Sequence, residues 1–269
     1  MSDRPGENTE RATNAVLLRA RLFGVAPALL IGLVIVALAG PVAGVLAFVL
    51  LTVLWIGFVE VRRRTALDRA LTSLGPTDPV AEGAGSLGAS RWANIVDGVA
   101  VSTGVESPEL RHVPLDTLNA AVLAQDGRTV LVATAGLMSH LSQIELEAVA
   151  ANLLGRVRDG SAQFTTIAVG LPGPSLAGSS PFARRLVDGL GEQRAVRSDL
   201  EAARLTRYPP GVVRALRVVG ERGSLISGAA PASAAFWLAP AVDPADVPEA
   251  VAATVMQSIE LRTAVLEEL

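Results

Sequence analysis

Two uninterrupted apolar runs dominate the first quarter of the chain. Leu22 to Ala39 and Val42 to Val59 carry no charge, and Gly40-Pro41 divides them. A run of about 18 residues reaches about 27 Å as a helix, close to the hydrocarbon thickness of a bilayer. Gly-Pro is a turn signal, so the pair predicts a transmembrane helical hairpin over residues 22–60. Pro27 falls inside the first run, where a membrane helix tolerates it. A signal peptide fits less well, because the stretch is too long and no small-residue cleavage pattern precedes a polar region.

Downstream the pattern changes. Residues 61–90, rich in Gly, Ser, Pro and Thr, read as a flexible linker. Trp92, Ile95, Val96 and Val99 share one face of a helix over Arg91–Gly104. Short β-rich pieces are expected at Glu109–Val113 and Thr129–Ala133, with a turn at Gln125-Asp126-Gly127-Arg128 between them. Ser142 and Glu145 form a capping box. Leu146, Val149, Ala150, Leu153, Leu154 and Val157 then recur at the spacing of a buried helical face over residues 142–160. Phe164–Gly178 is uncharged but short and broken by prolines, which predicts a loop or shallow membrane contact. Helices are expected over Pro181–Arg207, Val212–Val219 and Ile259–Leu269, with a short apolar run at Phe236-Trp237-Leu238. The pattern gives a mainly α fold with a small β element: an N-terminal tail over 1–21, the hairpin, the linker, and one domain over 91–269.

Composition supports the membrane reading. Half of the 269 residues are hydrophobic and only 18% are charged, too apolar for an ordinary soluble domain. The net charge of −3 and an aromatic content of 4% offer neither a basic face nor a stacking platform, so nucleic acid is not an expected partner. With no cysteine there are no disulfides and no thiolate chemistry. The preference for Arg over Lys and the abundance of Ala, Gly and Val suggest a GC-rich bacterial genome. Arg11, Arg19 and Arg21 precede the hairpin and Arg62, Arg63 and Arg64 follow it. Positive charge on both flanks places both in the cytoplasm, so the domain is expected on the cytoplasmic side of the inner (plasma) membrane.

Several chemistry-bearing patterns are weak. Gly83, Gly85 and Gly88 form a G-x-G-x-x-G string without the strand and helix a dinucleotide site needs, which a flexible linker explains better. Ser175 and Ser179 have no nucleophile elbow around them. His112 and His140 are the only histidines, and their spacing with Glu145 or Glu147 fits no metal-ligand pattern. Arg184, Arg185, Arg194, Arg197, Arg204 and Arg207 are either a lipid-facing basic run or a solvated helix face paired with Glu192, Asp199 and Glu201.

An ordered set of segments nevertheless resembles one family. The hairpin, Asn119-Ala120, Val130–Leu141, Glu145-Leu146-Glu147-Ala148-Val149, Leu205–Gly211, Ala235–Pro240 and Leu261–Leu269 run in the order found in the HtpX-type membrane zinc metallopeptidases, relatives of the CAAX prenyl proteases. The resemblance implies a gluzincin-like domain behind a membrane hairpin. It also implies that the strand near Asn119, Ala120 and Ala121 holds an extended peptide.

Carried over residue by residue, the family's histidine–glutamate–histidine positions fall on Asn152, Leu153 and Arg156, and its glutamate ligand on Ala195. Of that segment only Arg194 and Asp199 are retained. Such a set cannot hold a catalytic zinc, which needs three N, O or S ligands and an open position. Arg156 puts a fixed cation where the metal would be, and Leu153 cannot act as a base. The reading that follows is a membrane-anchored pseudopeptidase without cofactor, binding a peptide, a membrane protein or an active paralogue. Two alternatives stand beside it. One is an active zinc metalloendopeptidase with non-standard ligands, for which His112 and His140 are the only imidazoles. The other is a structural membrane protein on the same scaffold.

Overall fold

The computed structural model describes residues 7–80, 87–173 and 180–269. Helix α1 (Glu7–Phe23) leads into α2 (Val25–Ala39) and α3 (Pro41–Arg64). These last two pack against each other as the expected hairpin, and the chain turns between them at Gly40, whose φ is 91°. Small residues let the helices meet: a Cβ on Gly44 would lie 2.2 Å from a Val36 methyl and 2.7 Å from the Gly32 carbonyl. Leu30, Leu38, Val42 and Leu46 are among the many exposed apolar side chains on the pair. The stretches around these two helices are long and apolar enough to cross a membrane.

Three expectations need correction here. The N-terminal stretch is no tail from Glu7 onward, because α1 is a helix with Ala12 and Val16 against Leu186, Leu190 and Phe164. The linker is largely structured as well. Helix α4 (Ala66–Thr72) has Ala66, Leu67 and Ala70 buried, Leu74 just beyond it is buried too, and strand β1 (Asp78–Pro79) follows. Residues 81–86, with Gly83 and Gly85, lie outside the described residues. The apolar segment at 164 forms no loop. Helix α8 (Ser161–Gly170) has Phe164 and Ile167 at 0% and 1% exposure, and Gly170 comes so close to Ala66 that a Cβ there would lie 2.0 Å from its carbonyl oxygen.

The domain is built round a four-stranded sheet of order β1-β2-β4-β3. Strand β2 (Glu109–Val113) runs parallel to β4 (Arg128–Thr134), and β3 (Ala120–Gln125) pairs with β4 as an antiparallel hairpin. Asp126 and Gly127, at φ 49° and 86°, make its two-residue turn, as the Asp-Gly dipeptide requires. Side chains alternate perfectly along these strands. Ala120, Val122, Ala124, Leu131 and Ala133 face the core formed with α5 (Leu87–Thr103) and α7 (Gln143–Arg158). Ala121, Leu123, Val130 and Val132 face α4 and the segment 226–241. The sheet is covered on both sides.

Helices α6 (Ala135–His140), α9 (Ser180–Leu190), α10 (Arg194–Thr206), α11 (Pro209–Arg222), α12 (Glu249–Val255) and α13 (Ile259–Glu267) complete the chain. The capping box at Ser142 is formed, with its backbone N–H donating to Glu145 Oε2 at 2.7 Å. Helix α7 then runs through the middle of the domain, touching α5, α8, α10, α11 and β3. The sequence pattern implies a single buried face, but residues 148–156 are buried all round.

Candidate functional site

The central position of α7 brings Asn152 and Arg156 into the interior, at 1% exposure each, and α10 delivers Arg194 and Asp199 beside them. Helix α13 adds Arg262, also buried. Asp199 is the hub of this cluster. It accepts a two-pronged ion pair from Arg262, Nε to Oδ2 at 2.6 Å and Nη2 to Oδ1 at 2.8 Å, and a bond from Asn152 Nδ2 at 2.8 Å. Leu153 is buried among apolar neighbours. Ala195 is buried too, its backbone N–H donating to Gln257 Oε1 at 3.1 Å.

The guanidinium groups converge on one stretch of backbone, four successive carbonyls from 235 to 238. Arg194 Nη1 donates to Ala235 at 2.7 Å, and Arg156 Nη1 to Phe236 and Trp237 at 3.2 and 3.1 Å. Arg262 Nη1 donates to Leu238 at 2.8 Å. The same stretch lies along the free edge of β3, opposite the edge that pairs with β4. Ala121 and Trp237 form an antiparallel bridge, Leu238 N–H donates to the Ala120 carbonyl at 2.8 Å, and Val122 N–H to that of Phe236 at 3.3 Å.

Asn119 closes the arrangement. Its Nδ2 donates to the carbonyls of Ser224 and Ala239 at 2.8 and 3.0 Å, and its Oδ1 accepts from Ala120 and Ala239 N–H groups at 3.0 and 3.2 Å. The residues expected to hold a peptide, Asn119, Ala120 and Ala121, are thus 0% exposed and engaged by the chain's own segment. An incoming peptide could add to that edge only after 236–238 had left it.

The charge balance is unusual. Of three buried guanidinium groups only Arg262 is paired with the buried Asp199, and Arg156 and Arg194 have Asp199 and Asp159 nearby without an ion pair to either. Burial, reinforced by Arg194 and Arg262 nearby, holds the Arg156 guanidinium well below the usual arginine range. Burial likewise pushes Arg194 down to about 10. Arg156 Nε and Nη2, Arg194 Nε and Asn152 Oδ1 are buried without a hydrogen-bond partner.

Zinc does not fit this set of side chains. The positions that the resemblance carries over offer an amide already bonded to Asp199, a leucine, an arginine bonded to backbone and an alanine. Among the described residues no three His, Asp or Glu side chains converge as a ligand group. His140 lies at the end of α6, its Nε2 3.2 Å from Asp116 Oδ1, and His112 is in β2, separated from β3 by β4. Glu145 serves the helix cap and Glu147 is exposed. Ser175 and Ser179 lie outside the described residues. The arginine run from 184 to 207 shares no single face. Arg194 is buried, Arg197 donates to the Leu190 carbonyl, and Arg204 lies 3.8 Å from Glu201.

Sequence reasoning missed Arg262 as a site residue, along with the backbone of 235–238. A lone cation on the buried face of the last helix, beside Thr263 and Leu266, was the available signal.

The chain is similar to two curated proteins called "Protease HtpX homolog". One, from Dictyoglomus thermophilum, is 28% identical over 161 residues, 48% of this chain and 53% of that protein. The other, from Dictyoglomus turgidum, is 27% identical over the same extent. The chain therefore spans about half the length of the curated relatives it matches. No protein-family model and no solved structure matches it. These likenesses and the two apolar helices support a membrane protein of HtpX-like kind.

Proposed function

We propose that the chain is a membrane-anchored pseudopeptidase, an HtpX-like protein whose metal positions have been rebuilt into an arginine clamp. The observation that carries this reading is Arg156, buried and bonded to the carbonyls of Phe236 and Trp237. By the resemblance, a histidine would stand there to ligate zinc. A fixed guanidinium instead bonds to backbone lying on the β3 edge, where the resemblance places a substrate. The clamp thus fills both the metal position and the peptide position with the chain's own atoms. No hydrolytic water can be activated by Leu153, Asn152 or Ala195.

The test is hydrolysis of unstructured protein and peptide substrates by the purified full chain, with zinc supplied and with a chelator. No turnover above a protein-free control is expected in either condition. Cleavage that the chelator abolishes would overturn the reading.

A second reading has its own support. An edge that accepts one extended segment by a single bridge can exchange it for another of the same geometry. The domain, held on the cytoplasmic side of the inner membrane by the arginines flanking the hairpin, would then bind a peptide stretch of a membrane protein or of an active paralogue. Faster hydrogen exchange at the Leu238 amide on adding such a peptide supports this reading, and unchanged protection at saturating peptide sinks it.

A further inference from the structure

The three buried guanidinium groups use their forks differently. Arg262 commits the edge formed by Nε and Nη2 to the Asp199 carboxylate, at 2.6 and 2.8 Å. In this side-on geometry a guanidinium presents two parallel N–H groups to one anion. Arg156 carries the same edge, and there Nε and Nη2 are both buried with no hydrogen-bond partner among the described residues. Its bonds to the carbonyls of Phe236 and Trp237 run through Nη1 alone. Arg194 repeats the pattern in part, with Nη1 on the Ala235 carbonyl and Nε buried without a partner. We propose that the Nε–Nη2 edge of Arg156 binds one small monovalent anion inside the domain, with chloride as its probe.

Charge and burial select this occupant. Arg156 and Arg194 are 1% and 3% exposed, and neither makes an ion pair among the described residues. Asp199 is taken up by Arg262 and Asn152. Asp159, nearby, accepts from the Ser161 N–H at 2.8 Å and so belongs to the turn after α7. A buried cation without a counter-charge is costly, and an anion on the fork supplies that charge together with two acceptor contacts. A water there would bond the same N–H groups and leave the excess of charge as it is. A bulky anion is excluded because the fork atoms are buried.

Asn152, one turn before Arg156 on α7, turns Nδ2 toward Asp199, and its Oδ1 is buried without a partner. A water donating to that oxygen and to the anion would satisfy both. The charge of the bound ion is opposite to the one that the resemblance assigns to this position. The inference rests on the clamp geometry and not on the absence of hydrolysis, since a chain without turnover can hold an anion or lack one.

The full chain is purified in detergent with chloride throughout, then dialysed to equilibrium against a low, fixed chloride concentration made up with gluconate. Ion chromatography of the denatured sample counts the chloride held in excess of the dialysate. One chloride per chain is expected. Arg156→Met should lose it. Arg128→Gln, at an exposed side chain outside the cluster, should keep it.

Stability gives a second readout, which needs only the wild type should Arg156→Met not fold. An ion that binds only the folded chain stabilises it by mass action. Replacing gluconate by chloride at constant ionic strength should raise the folded-to-unfolded ratio about tenfold for each tenfold of chloride above the dissociation constant. No excess chloride, or an excess that survives in a folded Arg156→Met, would overturn the proposal. So would an unfolding midpoint that ignores chloride, the result that a water on the fork would give.

Discussion

Arginine serves opposite ends in two regions of this molecule, which contains no lysine. In the interior, Arg156, Arg194 and Arg262 are buried, and each donates through one Nη to backbone carbonyls of 235–238, Arg262 also pairing with Asp199. At the membrane end, Arg19, Arg62 and Arg185 line an apolar cleft with no acidic side chain among its described lining residues. A buried guanidinium bonded to backbone fixes a segment in place and leaves little room for chemistry. At the cleft, Arg62 donates to the carbonyls of Leu171 and Pro172, whereas Arg19 is exposed without a carboxylate partner among the described residues. The difference lies in what each fork faces, since a planar guanidinium suits peptide carbonyls and phosphates equally.

The interior should be the fragile region. Removing the carboxylate hub with Asp199→Ala leaves Arg262 buried beside two further cations, and should cost about 3–5 kcal/mol. Urea unfolding of the wild type and the variant in the same detergent measures it, and a loss below 1 kcal/mol would mean that the cluster is not closed to water. Asn119→Ala removes three bonds to the segments at 224 and 239 and one to the Ala120 amide, and should cost about 2–3 kcal/mol. Protection of the Leu238 amide should fall with it, because that amide belongs to the same bridge.

A smaller effect separates the clamp from ordinary surface charge. Burial lowers Arg194 to about 10 in the folded chain, against an ordinary value of 12.5. Between those two values the unfolded chain holds more protons, so stability rises with pH through that window and is flat below it. By pH 11 the wild type should gain about 1 kcal/mol relative to Arg194→Met, compared with the same pair at pH 9. Equal pH dependence of the two denaturation midpoints would remove Arg194 from the account.

The smallest effect belongs to the exposed network in which Arg128 bonds Glu109 and Asp68 at 2.8 and 3.1 Å. The hydrogen bond from Arg128 holds the Glu109 carboxyl below its usual range, so any stabilisation is present above the unfolded value and lost as pH falls. Glu109→Gln should cost less than about 1 kcal/mol, and added salt should erase the difference. A salt-insensitive loss would place that pair with the buried group.

The legible parts of the fold were those whose signal is local. The hairpin, the strands at 109–113 and 128–134, the Asp-Gly turn and the cap at Ser142 all follow from short patterns. The linker was misread because Gly, Ser and Pro speak for flexibility, whereas Leu67 and Ala70 of α4, with Leu74 just after it, are buried against one face of the sheet. The segment at 164 was misread because its prolines lie beyond the helix they were taken to break. Asn152, Arg156, Arg194 and Asp199 could be found because a resemblance pointed at them. The partners of Arg156 and Arg194 are backbone carbonyls some 40 to 80 residues away in sequence, a pairing that leaves no mark on local composition.

The central claim is that an arginine clamp stands where a metal site would be. Its most direct test is metal analysis of the purified full chain after equilibration with zinc and removal of the excess. The account predicts far less than one zinc per chain, unchanged in His112→Ala/His140→Ala. One tightly held zinc per chain, lost together with peptide hydrolysis on chelation, would contradict it.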